Sequence, residues 1–167
     1  MRLAREFYLH NAVSLAPLLL GKLLCHKNGR EIIKSRITET EAYLGESDSA
    51  CHAHNGETPR NSVMYNQGGK AYIYLCYGLH NMLNIVSGPE KNPQAVLIRG
   101  VENYSGPGKL TKALQITRDL NGTDLTVSKD LWIEDGPLLD YMAAPRIGIG
   151  YAKEEDKKKL WRFIAKT

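Results

Sequence analysis

The run EIIKSRITETEAYL, residues 31 to 44, reads as an alternating segment in which chosen side chains recur at every second position. A period of two is the signature of a β-strand with one face turned inward. It places Ile33, Ile37, Glu39, Glu41 and Tyr43 together on one face. Two further β-rich segments flank a Tyr77-Gly78 reversal: AYIYLC, with Ala71, Ile73 and Leu75 on one face and Tyr72 and Tyr74 on the other, then Met82 to Val86. A third, QAVLIRGVE, carries Arg99 inside an otherwise apolar strand. The Asn28-Gly29 pair predicts a turn. Asn11 or Ser14 is expected to cap a helix running to about Leu24, with Pro17 tolerated only near its start. GPGKLTKALQI should begin a second helix, and Gly122, Asp135-Gly136-Pro137 and Gly148 with Gly150 divide the remainder into short elements. Between Gly45 and Gly69 lies a polar loop of a length usually found in functional or disordered segments. With no internal repeat and no linker, the expectation is one α+β domain over residues 1 to 167, built on a curved, mainly antiparallel sheet with flanking helices.

A chain of 167 residues with 43% hydrophobic content can bury one substantial core. Its net charge of +4 is compatible with a nucleic-acid partner without requiring one. The dense run Lys157-Lys158-Lys159 fits a solvated face at least as well as a phosphate contact. Cys25, Cys51 and Cys76 are odd in number and lack CxxC spacing, which argues against a disulfide framework and for a reducing compartment. Arg2 and Arg5 ahead of AVSLAPLLL resemble the start of a signal peptide, but Lys22 interrupts the apolar run and leucines precede Cys25. No apolar stretch approaches the ~20 residues that span a bilayer. The segment is therefore expected to be a core helix of a soluble intracellular protein without a membrane partner.

Several residues could carry chemistry. Glu39 and Glu41 are either solvated edge charges or a general base beside aromatic walls, and alternation does not choose between the two acids. Arg99 needs an acidic partner if buried, either as a structural ion pair or to orient a glutamate and a water. Cys51-His52-Ala53-His54 invites a zinc reading, with His10, Cys25 and His26 as further candidates, although structural zinc sites usually show a second ligand pair at recognisable spacing. Gly106-Pro107-Gly108-Lys109 sets free amides and a lysine at a helix start, as a plain helix entry or a contact to a nucleic-acid backbone. Tyr77, at the tip of a turn, has nothing behind it to bury against.

In order along the chain, ETEAYLG (39 to 45), His52, TPRN (58 to 61), YIYLCYGLHNMLNI (72 to 85), VLIRGVE (96 to 102), GPGKLTKAL and RIGIG (146 to 150) resemble the alkyladenine, or 3-methyladenine, DNA glycosylase family. The resemblance runs from about Val13 to Phe163. It implies Glu41 as the general base, with Arg99 and the main-chain carbonyl of Ile147 holding the attacking water. It implies Tyr43, His52 and Tyr74 as walls of the damaged-base pocket and Asn84 as the residue that rejects guanine. Tyr77 would wedge into the minor groove, and Arg60 and Lys109 would contact the DNA backbone. Gly150-Tyr151 stands where Gly-His is familiar, Asn103 where a proline is common, and His10-Asn11 where an acidic cap is expected.

The same resemblance implies a monofunctional enzyme of base excision repair, acting as a monomer on double-stranded DNA that contains damaged purines. It would flip out 3-methyladenine, 7-methylguanine, hypoxanthine or ethenoadenine, hydrolyse the N-glycosidic bond and leave an abasic site, with no cofactor and no metal. In a bacterium it would act in the cytoplasm at the nucleoid. Two rivals stand beside it. One is a binding module that uses the tyrosines as a stacking platform; the other is a zinc hydrolase built on His52 and His54.

Overall fold

The long alternating run does form a single strand. In the computed structural model, which describes residues 1 to 166, β2 (Glu31–Tyr43) is the element that ties the sheet together. Its first half pairs with β1 (Leu23–Asn28), joined by the Gly29-Arg30 turn, and its second half pairs with β5 (Ala95–Val101) on one edge. β9 (Arg162–Ala165) lies along the other edge at Glu39, Thr40 and Glu41. β3 (Ala71–Cys76) and β4 (His80–Val86) extend the sheet beyond β5, and β7 (Leu131–Glu134) extends it beyond β1. The short β6 (Tyr104–Ser105) adds to β5, and β8 (Tyr141–Ala144) to β9. Every pairing is antiparallel. The result is a curved half-barrel with three helices, an α+β domain as expected.

Alternation fails at one place on β2. The pairing slips by a residue at Glu39 and slips back at Thr40, so that Ile37 opposes Val101, Glu39 opposes Gly100 and Thr40 opposes Ile98. Ile37 and Ala42 both lie in the main core although five positions separate them. Ile33 and Ile37 therefore do not share a face with Glu39, Glu41 and Tyr43. Gly100 makes the irregularity possible, because a Cβ there would meet Glu39 Cβ at 3.2 Å and Thr38 Oγ1 at 3.1 Å. Beyond the slip, Thr40 turns toward the core and donates to the Ala16 carbonyl at 2.8 Å, while its odd-numbered neighbours turn away.

That carbonyl belongs to α1 (Ala12–Leu19), capped by Asn11, whose side chain accepts the Ser14 amide. The helix stops five residues earlier than its apolar pattern suggests. Gly21 takes φ +90°, and a Cβ there would lie 2.2 Å from the Pro137 carbonyl oxygen. Leu23 and Leu24 then join β1, where pairing with β2 outweighs helical pattern. α2 (Pro107–Ala113) begins at the Pro-Gly turn as expected, and its Thr111 hydroxyl donates to the Asn81 carbonyl of β4. α3 (Glu154–Lys157) is a single turn. Of the lysine run, Lys157 pairs with Glu154, while Lys159 pairs with Asp156 and lies over the Trp161 ring.

The 45–69 segment is ordered, because its own polar side chains satisfy its backbone. Asp48 accepts the Leu44 and Ala50 amides, and Asn61 donates to the His52 and Gly56 carbonyls while accepting the Thr58 amide. Cys51, Ala53 and Met64 from this segment form a second apolar cluster with Tyr72, Val86 and Ala95, set against the sheet. All three cysteines are unpaired. No helix among the described residues is long and apolar enough to cross a membrane.

Candidate active site

The second cluster floors a cleft of about 310 Å³, counting its open mouth, and side chains from several elements line it. Tyr72 and Tyr74 come from β3, where period two turns them away from the core that takes Ala71 and Ile73. Their rings lie 5.6 Å apart, and the His52 ring stands 4.4 Å from Tyr74. His52 Nδ1 is 3.1 Å from the Tyr72 hydroxyl. Desolvation against these rings, and then the nearby Arg60 cation, hold the His52 pKa below its usual value, so the ring is neutral at pH 7. Arg60 folds back over the Tyr74 ring at 5.7 Å and donates to the Leu75 carbonyl.

Tyr43, from the end of β2, forms the opposite wall, and its hydroxyl reaches behind the cleft to Glu41. Glu41 is fully buried. Its Oε1 accepts from Tyr43 at 2.8 Å, and its Oε2 accepts from the Ile147 main-chain N–H at 2.7 Å. Arg99, on β5, lies 3.7 Å from Glu41 and 3.3 Å from Glu39. Glu39 also pairs with Arg162 of β9. The two acids that alternation left equivalent thus differ sharply: Glu39 sits between two arginines at the sheet surface, whereas Glu41 is sealed beneath the cleft. Burial pushes the Glu41 carboxyl above the usual carboxylate range, while Arg99, the Ile147 N–H, the Tyr43 hydroxyl and Arg146 pull the other way. A buried carboxylate with raised proton affinity is suited to accept a proton near neutral pH.

Asn84 lies on the cleft floor, paired across the hairpin with Tyr72. Its amide N–H groups donate to the Tyr72 and Met82 carbonyls, which pins the side chain. Tyr77 stands at the tip of the same hairpin with 91% of its surface exposed. Tyr77 and Gly78 both have positive φ, 52° and 66°, and the Leu79 N–H closes the turn on the Cys76 carbonyl. Two successive left-handed residues suit the twist of a hairpin, but the first is a tyrosine, for which that backbone is strained. Lys109, at the start of α2, is exposed near the turn end of this hairpin, where Gly108 packs against His80.

The histidines and cysteines of the zinc reading do not converge. His10 Nδ1 contacts the Phe7 carbonyl, His26 Nδ1 the Leu114 carbonyl and His54 Nδ1 the Glu46 carbonyl. Among the described residues no group of three or more His, Cys, Asp or Glu side chains is placed to hold a metal ion.

Comparison with known proteins places the chain in a family. A family model described as methylpurine-DNA glycosylase matches residues 6–167. The chain belongs to the methylpurine-DNA glycosylase family. Its relatives include a protein of Borreliella burgdorferi named "Putative 3-methyladenine DNA glycosylase", 47% identical over 176 residues that cover 97% of this chain and 95% of the relative. Proteins of the same name from Methanocella arvoryzae and Natranaerobius thermophilus are 44% and 42% identical, covering 99% and 98% of this chain and 92% and 94% of their own. Methylpurine-DNA glycosylases hydrolyse the N-glycosidic bond between base and sugar, and this chain is a DNA glycosylase of that kind.

Three residues at or behind the cleft were given no role by the sequence. Tyr72 was legible from its parity with Tyr74. Tyr151, the departure from Gly-His, lines the cleft and donates its hydroxyl to the Ala50 carbonyl. Arg146, the first residue of RIGIG, is buried with its guanidinium 4.9 Å from the Tyr43 ring; no local pattern marks it.

Proposed function

We propose that this glycosylase flips an alkylated or deaminated purine, of the 3-methyladenine, 7-methylguanine, hypoxanthine and ethenoadenine class, out of duplex DNA into the Tyr43–His52–Tyr74 cleft. The observation that carries this reading is the sealed Glu41 directly behind an aromatic cleft, with a rigid exposed ring on the hairpin that forms the cleft's other wall. Extracting a base from the stack costs a few kcal/mol. An inserted side chain offsets that by occupying the vacated space, and Tyr77 is held outward with nothing else to contact. A purine alkylated on a ring nitrogen is cationic, and each electron-rich ring around it contributes ~0.5–2 kcal/mol of attraction. A neutral His52 adds a wall without adding repulsion.

In the hydrolytic step Glu41 takes a proton from water, whose oxygen bonds to the anomeric carbon as the N-glycosidic pair leaves with the base. Its negative charge also stabilises the oxocarbenium-like transition state, as carboxylates do in glycoside hydrolysis. Arg99 lies beside Glu41 Oε1, where it can hold that water. Among the described residues no amine joins this group, so the expected product is an abasic site in an unbroken strand; the reading takes the enzyme to act as a monomer without a cofactor. Arg60 and Lys109 would contact phosphates flanking the lesion. The test is incubation with alkylated duplex DNA, followed by chromatography of the released bases. Release of methylpurines with strand breaks only after alkali supports the reading; tight binding with no released base overturns it.

A further inference from the structure

Arg146 and Asp48 form an ion pair in which both side chains are fully buried. One guanidinium nitrogen donates to Asp48 Oδ2 at 2.6 Å and to the Ala42 carbonyl at 3.0 Å; the other donates to Asp48 Oδ1 at 2.9 Å and to the Asp156 carbonyl at 3.3 Å. The guanidinium plane is flanked by the Tyr43 and Trp161 rings, 4.9 and 5.0 Å from its carbon. One residue therefore fastens the end of β2, the loop after it, the 146–147 segment and α3. A buried pair of this kind gives little net stability over apolar residues of similar volume, because desolvation offsets the attraction. Its value lies in geometry. The next residue in the chain is Ile147, whose N–H donates to Glu41, and the ring it stacks on is Tyr43, whose hydroxyl donates to the other Glu41 oxygen.

We propose that Arg146, locked by Asp48, is a positioning residue that holds the Ile147 N–H and the Tyr43 hydroxyl on the two oxygens of Glu41. This rests on the glycosylase reading of the same site and adds residues to it. The groups that face Glu41 are Tyr43 and, through Arg99, Glu39 on β2; Arg99 on β5; Tyr74 on β3; and Arg146, Ile147 and Tyr151 from the segment before α3. Of these, Arg146 acts in two ways: its charge favours ionised Glu41, and its hydrogen bonds place the N–H that does the same.

The test is single-turnover excision of a methylated duplex across pH, alongside duplex affinity and Tm. Asp48→Asn/Arg146→Met removes both charges, so neither partner is left alone. The rate at neutral pH should fall ~10–100-fold, the scale of a small misplacement of reacting groups, and the acid limb should move to higher pH with affinity unchanged. Arg146→Lys keeps a charge but not the fork, and should recover part of the rate and part of the limb. If the double variant does not fold, the lysine variant decides alone. A rate and acid limb like the parent's, whatever happens to Tm, overturns the proposal by making the pair structural only. A parent enzyme that releases no base would instead remove the glycosylase reading itself.

Discussion

The Tyr43 hydroxyl donates to Glu41 across 2.8 Å, from a residue only two positions further along the same strand. The ring thus has two jobs, since one face lines the cleft and the hydroxyl supports the acid behind it. Tyr43→Phe separates them. Loss of a hydrogen bond to an ionised group removes about 1.5–3 kcal/mol of its support, so the acid limb of excision should move to higher pH. Affinity for a methylated duplex should stay near the parent's, because the ring remains. A pH profile identical to the parent's would show that the hydroxyl does not govern Glu41.

Glu41→Gln should abolish the base while preserving the shape. The amide can accept the Ile147 N–H through its oxygen and donate to the Tyr43 oxygen, and Arg99 keeps Glu39 as its partner. Excision should fall by at least ~100-fold with binding retained. Glu39→Gln should cost less, because Glu39 serves Arg99 and Arg162 rather than the cleft. The reverse ranking in single-turnover assays would assign the base to Glu39.

The same variant has a consequence for stability. The folded state raises the Glu41 pKa above its unfolded value, so the contribution of this group is fully present below the unfolded pKa and is lost as pH rises through the folded one. Above the unfolded pKa the buried carboxyl therefore contributes less to stability than it does in acid. Glu41→Gln should melt higher than the parent at pH 7, with the difference shrinking as pH falls toward the ordinary carboxylate range. Thermal melts of both proteins over that range check the sign; a less stable Gln variant at pH 7 contradicts it.

Asn84 cannot swing aside, because both of its bonds go to main-chain carbonyls. On the proposed reading, a normal guanine entering the cleft would bring its exocyclic amino group against this fixed side chain. Asn84→Ala should therefore increase release of undamaged guanine more than release of hypoxanthine, at a stability cost of about 1–3 kcal/mol for two lost hydrogen bonds. Equal changes for the two bases would count against exclusion by Asn84.

Tyr77 is strained and exposed at once. Tyr77→Ala should lose about 1–3 kcal/mol in the flipped complex, the scale of one base–aromatic stack, while Tyr77→Phe stays close to the parent. Tyr77→Gly relieves the positive φ and should keep or raise Tm, yet excise as poorly as the alanine variant. A fluorescent base analogue at the lesion reports flipping directly. An alanine variant that flips and excises like the parent would leave the hairpin tip without this role.

Alternation by itself determined most of the sheet. It placed Tyr72 and Tyr74 opposite Ala71 and Ile73, and put the reversal at Tyr77-Gly78, because strand parity and turn conformation are properties of adjacent residues. The sequence left the helix cap open between Asn11 and Ser14, and the structure chose Asn11. Tertiary structure decided the rest. Leu23 and Leu24 left the expected helix because Gly21 must pass close to Pro137. The slip opposite Gly100 moved Ile37 into the core and left Glu39 and Glu41 facing Arg99. The difference between those two acids came from Arg162 on β9 and from the Ile147 N–H, 106 positions from Glu41 in the chain. Burial and proton affinity depend on whatever the fold packs against a group, and residues so distant leave no trace in the local pattern around it.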